Sequence, residues 1–404
     1  MPLAPMGGWT FFGPRTGMTN LVAAAAFWTS ATVIVYVYAG YPLALWLLRA
    51  LGFSRPVRQA SIEPPVTLVV SAYNEVAVIA EKVRNSLALD YPADSLQIMV
   101  VSDASSDGTD AAVQAFRDPR VELLRMEDRG GKTAGLNAAV RRARGEIMVF
   151  SDANAMYDAL ALRRLVRNFA DPEVGAVTGE SRYRIAEQDA STDAENQYWT
   201  YELWIKRLES SLGSLVGADG AIYALRKELY LDLGASDLSD FVTPLQVVER
   251  GYRNVYEAEA FSYEGGAEGF GAEFRRKVRI VNRAWRATLK LRRLLNPFRH
   301  GIFAIQFLSH KVLRWFVPVF MLIALLANLW LAAGSTVYSA ALAAQALFYA
   351  AAALGMLLER AGHPVRLLNI PYYFCAVNVA SLMGIWQAVA GRTYTTWNSS
   401  RPAA

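Results

Sequence analysis

Four acidic positions, Glu75, Asp103, Asp152 and Asp240, are strung along one polar stretch of the chain, and the first three each follow a short apolar, β-branched run. Carboxylates accept hydrogen bonds without donating any, and they bind hard cations. Placed at successive strand ends of an open α/β sheet, they converge on a single crevice. Ribose hydroxyls, a diphosphate and a divalent metal make those demands together, so the pattern predicts a nucleotide-using enzyme. Each position has a plainer reading as well. Asp103 in SDASSDGT, Asp152 in the triplet with Asn154, and Asp240 all suit helix caps, and Asp107-Gly108 is an ordinary turn signal.

The elements that must carry these residues are legible from hydrophobic periodicity. Val66 to Ser71 and Leu96 to Ser102 read as strands, with a helix from Val76 to Leu89 between them and a polar linker ending at Pro64-Pro65 before them. A helix over Thr133 to Arg144 leads into a strand at Glu146 to Phe150, and Val174 to Thr178 reads as the next. This alternation predicts an α/β fold over residues 62–270, with a mostly parallel sheet and helices on both faces. There is no internal repeat.

Around that domain the composition changes. The 404 residues are 53% apolar. Leu21 to Ala39, Trp315 to Gly334, Val337 to Leu358 and Leu367 to Ala390 each run without a charged side chain for about 20 residues, enough to cross a hydrocarbon core. The expected layout is a tail over 1–20, a first transmembrane helix over 21–52, the catalytic domain, basic interfacial helices over 271–311, three spans over 312–390 and a tail over 391–404. Arg49, Arg55 and Arg58 follow the first span, so the positive-inside rule places the domain in the cytoplasm, and an apolar start about 20 residues in, with only Arg15 ahead of it, reads as an anchor. Arg392 and Arg401 in the tail pull the other way.

Between Glu273 and Phe298 lie nine Lys or Arg and one acid. Arg275, Arg279, Arg283, Arg286, Lys290 and Arg293 recur every three or four residues, while Val278, Val281, Trp285 and Leu289 line another face. The pattern is a basic amphipathic helix of a membrane interface. The net charge of +5 is therefore assigned to anionic lipid and not to nucleic acid. The one cysteine, Cys375, falls in the last span, which argues against a disulfide or redox role. A transporter is disfavoured, because the spans offer only amides such as Asn328, Gln345 and Asn378.

Taken together, AYNE at 72–75, DYP at 90–92, VVSDASSDGT at 100–109, GGKTAGLNAAV at 130–140, VFSDAN at 149–154, GADGAIYA at 217–224 and SDF at 239–241 resemble the motifs of family 2 glycosyltransferases of the membrane-embedded type, related to bacterial exopolysaccharide and poly-N-acetylglucosamine synthases. The resemblance runs from about Gly40 to the last span. It implies a GT-A fold and an inverting transfer from a nucleotide diphosphate sugar, usually a UDP-sugar.

Carried over position by position, the resemblance puts Tyr73 and Glu75 beside the uracil, Asp103 on the base or ribose and Lys132 near the diphosphate. Asp152 and Asn154 occupy the metal motif that brings Mg2+ or Mn2+ to the leaving group. The asparagine brings an amide oxygen without a charge, which leaves open which of the two touches the metal. Asp240 matches the catalytic base, with Ser239 replacing the first acid of that motif and Asp237 as the substitute. Gly217, Ala218, Asp219 and Gly220 would line the acceptor terminus. Where processive synthases carry Gln-x-x-Arg-Trp this chain has Asn282-Arg283-Ala284-Trp285, so Arg283 would hold diphosphate and Trp285 would stack on sugar without the full motif.

The expected activity is that of a hexosyl- or N-acetylhexosaminyl-transferase of the bacterial inner membrane that extends a surface polysaccharide. Two alternatives stand beside it: transfer of one sugar to a membrane lipid, and a non-catalytic UDP-sugar-binding subunit. Four spans make a thin pore, so polymer export calls for a homodimer or a separate exporter.

Overall fold

The computed structural model describes residues 17–184, 190–265 and 270–395. Most of the expected N-terminal tail with Arg15, and the end of the C-terminal tail with Arg401, lie outside them.

The domain is built on eight strands: β1 (Val66–Ala72), β2 (Leu96–Ser102), β3 (Val121–Arg125), β4 (Ile147–Asp152), β5 (Met156–Tyr157), β6 (Val174–Arg184), β7 (Tyr223–Arg226) and β8 (Arg253–Gly265). They form one sheet in the order β3-β2-β1-β4-β7-β6-β8-β5. The pairs β1 with β2, β2 with β3, β1 with β4 and β6 with β8 are parallel. The expected parallel sheet is thus present, and β7 makes it mixed by running antiparallel to both β4 and β6.

Every residue of β1 and β2 is buried because both sheet faces are covered, which is why these strands read as unbroken apolar runs. Successive side chains point to opposite faces. Leu68, Val70, Ile98, Val100 and Val149 pack with Ile79 and Val83 of the helix Val76–Leu87. Val69, Met99, Met148 and Phe150 pack on the other side, in a cluster that continues through Phe241 and Val281 to Phe307, Trp315 and Ile385. One core therefore joins the sheet to the apolar helices.

Four helices among the described residues are long and apolar enough to cross a membrane: Gly17–Ala50, Ile302–Gly334, Thr336–Arg360 and Arg366–Val389. Two are longer than the charge-free runs suggested. The first begins at Gly17 and passes through a π-helical turn at Tyr36–Gly40; the second begins at Ile302 and passes through another at Leu308–Leu313, where His310 and Lys311, with Arg314 just after, interrupt the apolar pattern without ending the helix.

The basic helix forms as Phe270–Lys290, but its apolar face meets protein. Val278, Val281, Ala284 and Ala287 are buried, whereas Leu289, expected on that face, is 53% exposed. Gly384 explains the close packing: a Cβ there would lie 2.8 Å from the Val278 carbonyl and 3.1 Å from the Asn282 nitrogen. Arg286 seals the contact by donating to the Ala388 and Arg392 carbonyls at 3.1 Å.

Candidate active site

In the order β2-β1-β4 the chain leaves β1 in both directions, and the register sets Ala72 beside Ser102 and Ser71 beside Asp152. The carboxyl ends of β1, β2 and β4 therefore open on one crevice, the usual ligand position in such sheets.

Two tight loops form its first wall. Asn74 (φ 53°) and Ala104 (φ 56°) both adopt the left-handed conformation. Asn74 is locked in it by accepting the Ser106 N–H at 2.9 Å and donating its own N–H to Ser105 Oγ. Ala104 has no such help, so about 1–3 kcal/mol of backbone strain sits next to Asp103. Glu75 precedes the helix Val76–Leu87, with its N–H on Thr109 Oγ1, and the Arg129 guanidinium lies over the Tyr73 ring at 3.7 Å.

Asp103 does not cap the helix Thr109–Gln114. The N-cap position is Gly108, and Asp107 before it accepts from the Thr109 N–H and from the Val76 N–H. Asp103, 2% exposed, accepts instead from the Gly130 and Gly131 amides at 2.8 and 3.0 Å, across the crevice. It thereby holds the start of the helix Gly131–Arg142, which carries Lys132.

Lys132 reaches the floor of the crevice, donating to Asp152 and to the Gly220 carbonyl at 3.5 Å. Burial lowers its affinity for the proton, but Asp152 and Asp240 outweigh it and raise its pKa. The Asp152 side chain remains 40% exposed, and Asn154 is half-buried two residues on. Carboxylate and amide oxygens suit a hard cation. Asp152 already holds an ammonium, so this position is built to neutralise positive charge. Among the described residues there is no group of three His, Cys, Asp or Glu placed to enclose a metal, so further ligands would come from the donor's phosphates and water.

Asp240 stands opposite. It lies in the first turn of the helix Ser239–Glu249, whose N-cap position is Leu238 and makes no side-chain cap bond. Burial pushes its carboxyl above the ordinary carboxylate range, against the pull of Lys132 and Arg283. Gly220 leaves the space beneath it open: a Cβ there would lie 2.9 Å from Asp240 Oδ2. Asp237 is committed elsewhere, to Lys290 Nζ at 2.7 Å and the Gly234 N–H at 2.9 Å.

The residues expected on the acceptor side divide. Gly217, at φ +85° under the Phe241 ring, turns the loop, and Ala218 donates to the Asp240 carbonyl. Asp219 is taken up by Ser181, accepting from its N–H at 3.1 Å and its hydroxyl at 2.8 Å. Arg283 faces the domain, donating to the Ser236 carbonyl at 3.2 Å and to that of Asp237. Trp285 packs edge-on against Trp315 and Phe316, with its indole N–H buried and unpartnered.

Three residues that motif reading passed over belong to the same centre. Lys82, fully buried, donates to the Ala155 carbonyl just behind the metal motif, and burial pulls its pKa down to about 7. Glu264 follows the β5–β8 pairing of Met156 with Tyr263; burial, then Asp152 and Asp219, push it up to about 8. Tyr223 is buried within electrostatic reach of Asp240. A lysine inside an otherwise apolar helical face was the one sequence signal available for Lys82.

Residues 67–234 match the family model for glycosyl transferase family 2. The chain carries a family 2 glycosyltransferase domain. A poly-beta-1,6-N-acetyl-D-glucosamine synthase of Staphylococcus aureus is 26% identical over 264 residues, 60% of this chain and 63% of that protein. A beta-monoglucosyldiacylglycerol synthase of Trichormus variabilis is also 26% identical, over 62% of this chain and 57% of that protein. The alignments thus span less than two thirds of either relative. A mannosyltransferase from Pyrobaculum calidifontis, solved in complex with GDP-Man and Mn2+, superposes with a TM-score of 0.65 at 25% identity, covering 90% of this chain and 97% of that chain. The GT-A architecture expected from the sequence is the one observed.

Proposed function

We propose that this family 2 glycosyltransferase moves a sugar, with inversion, from a UDP-sugar to the end of a growing surface polysaccharide at the bacterial inner membrane. The observation that carries the reading is the placement of the half-buried Asp240 carboxyl across side-chain-free Gly220 from the Lys132–Asp152 pair.

The chemistry follows from that spacing. The donor diphosphate lies against Lys132, with Asp152 and Asn154 holding a divalent cation that, when bound, neutralises the departing charge. Tyr73, Glu75 and Asp103 border the nucleoside end. The acceptor hydroxyl, over the Gly217 to Gly220 loop, attacks the anomeric carbon from the face opposite the diphosphate. Its proton passes to Asp240 as the new C–O bond forms, and the bond to the diphosphate breaks to release UDP. The raised affinity of Asp240 for a proton suits that role.

A second reading, transfer of one sugar to a membrane lipid, is favoured by the packing of Trp285 on Trp315 and Phe316, which turns the ring toward the membrane helices. Anionic lipid around the exposed arginines of the basic helix accords with both readings.

The deciding experiment is sugar transfer by the lipid-reconstituted protein with radiolabelled UDP-sugars and GDP-mannose, in Mg2+ or Mn2+. High-mass product lost in Asp240→Asn supports a polysaccharide synthase. An organic-extractable product moves the assignment to glycolipid synthesis. Donor binding with no turnover, and no change of biological output in Asp240→Asn, identifies a binding subunit.

A further inference from the structure

A charged cluster lies buried where the first two membrane helices meet the domain, apart from the crevice. Glu209, on the helix Ala190–Leu212, is 0% exposed, and His310, in the π-helical turn of the second membrane helix, is 2% exposed. Glu209 Oε1 accepts from the Tyr41 hydroxyl at 2.5 Å and meets His310 Nδ1 at 2.8 Å. The other ring nitrogen, Nε2, meets Glu202 at 3.1 Å, and Arg314 donates to the same carboxylate. The first membrane helix joins from its own π-helical turn, where Tyr36 shares a hydrogen bond of 2.8 Å with Ser309 and the Tyr38 carbonyl accepts from Tyr201 at 2.9 Å.

Burying such groups carries a desolvation cost that well-packed apolar side chains would avoid. Their retention fits a role in fixing geometry, and π-helical turns frequently mark functional positions. What they fix is visible on the other side of Glu209. Its Oε2 accepts the Val216 N–H at 3.4 Å. The next residue, Gly217, gives its carbonyl to Asn254 at 2.7 Å, and Ala218 donates to the Asp240 carbonyl at 2.6 Å. A continuous run of hydrogen bonds and backbone therefore leads from two membrane helices to the residue that carries the base.

We propose that Glu209 and His310 are positioning residues that seat the acceptor loop and Asp240 according to the packing of the first two membrane helices. The inference rests on the reading of Asp240 as base and of Gly217 to Gly220 as acceptor floor. It makes acceptor-side catalysis, and not donor binding, depend on the junction.

The test uses the full chain in lipid, with Glu209→Gln, His310→Gln, the double variant and Tyr41→Phe. Donor affinity, acceptor KM, kcat and thermal unfolding are measured for each. Glu209→Gln and His310→Gln are expected to lower kcat over acceptor KM by about 10- to 100-fold while donor affinity stays within about twofold. The double variant is expected to fall no further than the worse single one, as a coupled pair requires. Tyr41→Phe, which keeps the ring and leaves Glu209 and His310 in place, carries the test if Glu209→Gln fails to fold, with a smaller loss on the acceptor side alone. Folded variants with unchanged acceptor kinetics overturn the inference, as does a parallel loss of donor affinity. A wild-type protein that transfers sugar from no donor overturns the transferase reading itself.

Discussion

The Ala218 N–H donates to the Asp240 carbonyl at 2.6 Å. In an uninterrupted helix that carbonyl would accept from residue 244, four positions on, but residue 244 is a proline inside the helix Ser239–Glu249 and has no N–H. The vacancy in the helical ladder is what binds the Gly217 to Gly220 loop to Asp240. Pro244→Ala restores the competing donor. The expected outcome is an unchanged or raised unfolding temperature with a lower kcat and unaltered donor affinity, read by calorimetry and steady-state kinetics. Retained kcat would show that the loop holds its place without this bond.

Asp240→Asn removes the proton acceptor and keeps the shape. Transfer is expected to drop by about 10²- to 10⁴-fold, with nucleotide affinity preserved in equilibrium binding. In the wild type, the raised pKa of Asp240 moves the acid limb of the rate profile above the ordinary carboxylate range, so activity falls as pH drops through the folded-state value. Stability runs the opposite way. The folded state holds this proton more tightly than the unfolded chain, so Asp240 costs stability as pH rises from the ordinary value through the folded one. Asp240→Asn is therefore expected to unfold no earlier than the wild type at neutral pH.

Gly220→Ala places a methyl group 2.9 Å from Asp240 Oδ2, closer than a carbon tolerates. Because Asp240 is anchored through its own carbonyl, the strain falls on its side chain. A fall in kcat without a change in donor affinity is expected, and a normal rate would mean that the carboxylate can swing without penalty.

Lys132→Met frees Asp152 from its ammonium partner. Without nucleotide, Mn2+ binding followed by electron paramagnetic resonance is expected to tighten, since a competing cation is gone. With donor present, KM is expected to rise because the diphosphate loses a charge-assisted hydrogen bond. Weaker Mn2+ binding in the variant would argue against Asp152 as the metal position. Asn154→Asp supplies the contrasting case, with tighter Mn2+ binding in both conditions.

The stations of the site were readable because they follow local patterns: a β-branched run, then Tyr73 to Glu75, Asp103 or Asp152, each at the point where a strand must end. Asp240 was readable only through its resemblance, since its neighbours would equally describe a helix cap, and the geometry separates it from Asp237 by what each carboxylate already holds. Helical periodicity identifies the apolar face of the basic helix without saying what covers it; Gly384 on another helix lets protein approach Val278 and Val281, where lipid was expected.

The sequence by itself determined the apolar helices, the strand-helix alternation and the residue types at the strand ends, because each depends on chain neighbours within a few positions. Tertiary structure decided the rest. Asp103 finds its amides 27 and 28 residues away, Lys132 finds Asp152 at 20, and Glu209 finds His310 at 101. Sheet register and helix packing bring such groups together, and burial then makes each unpartnered polar atom costly.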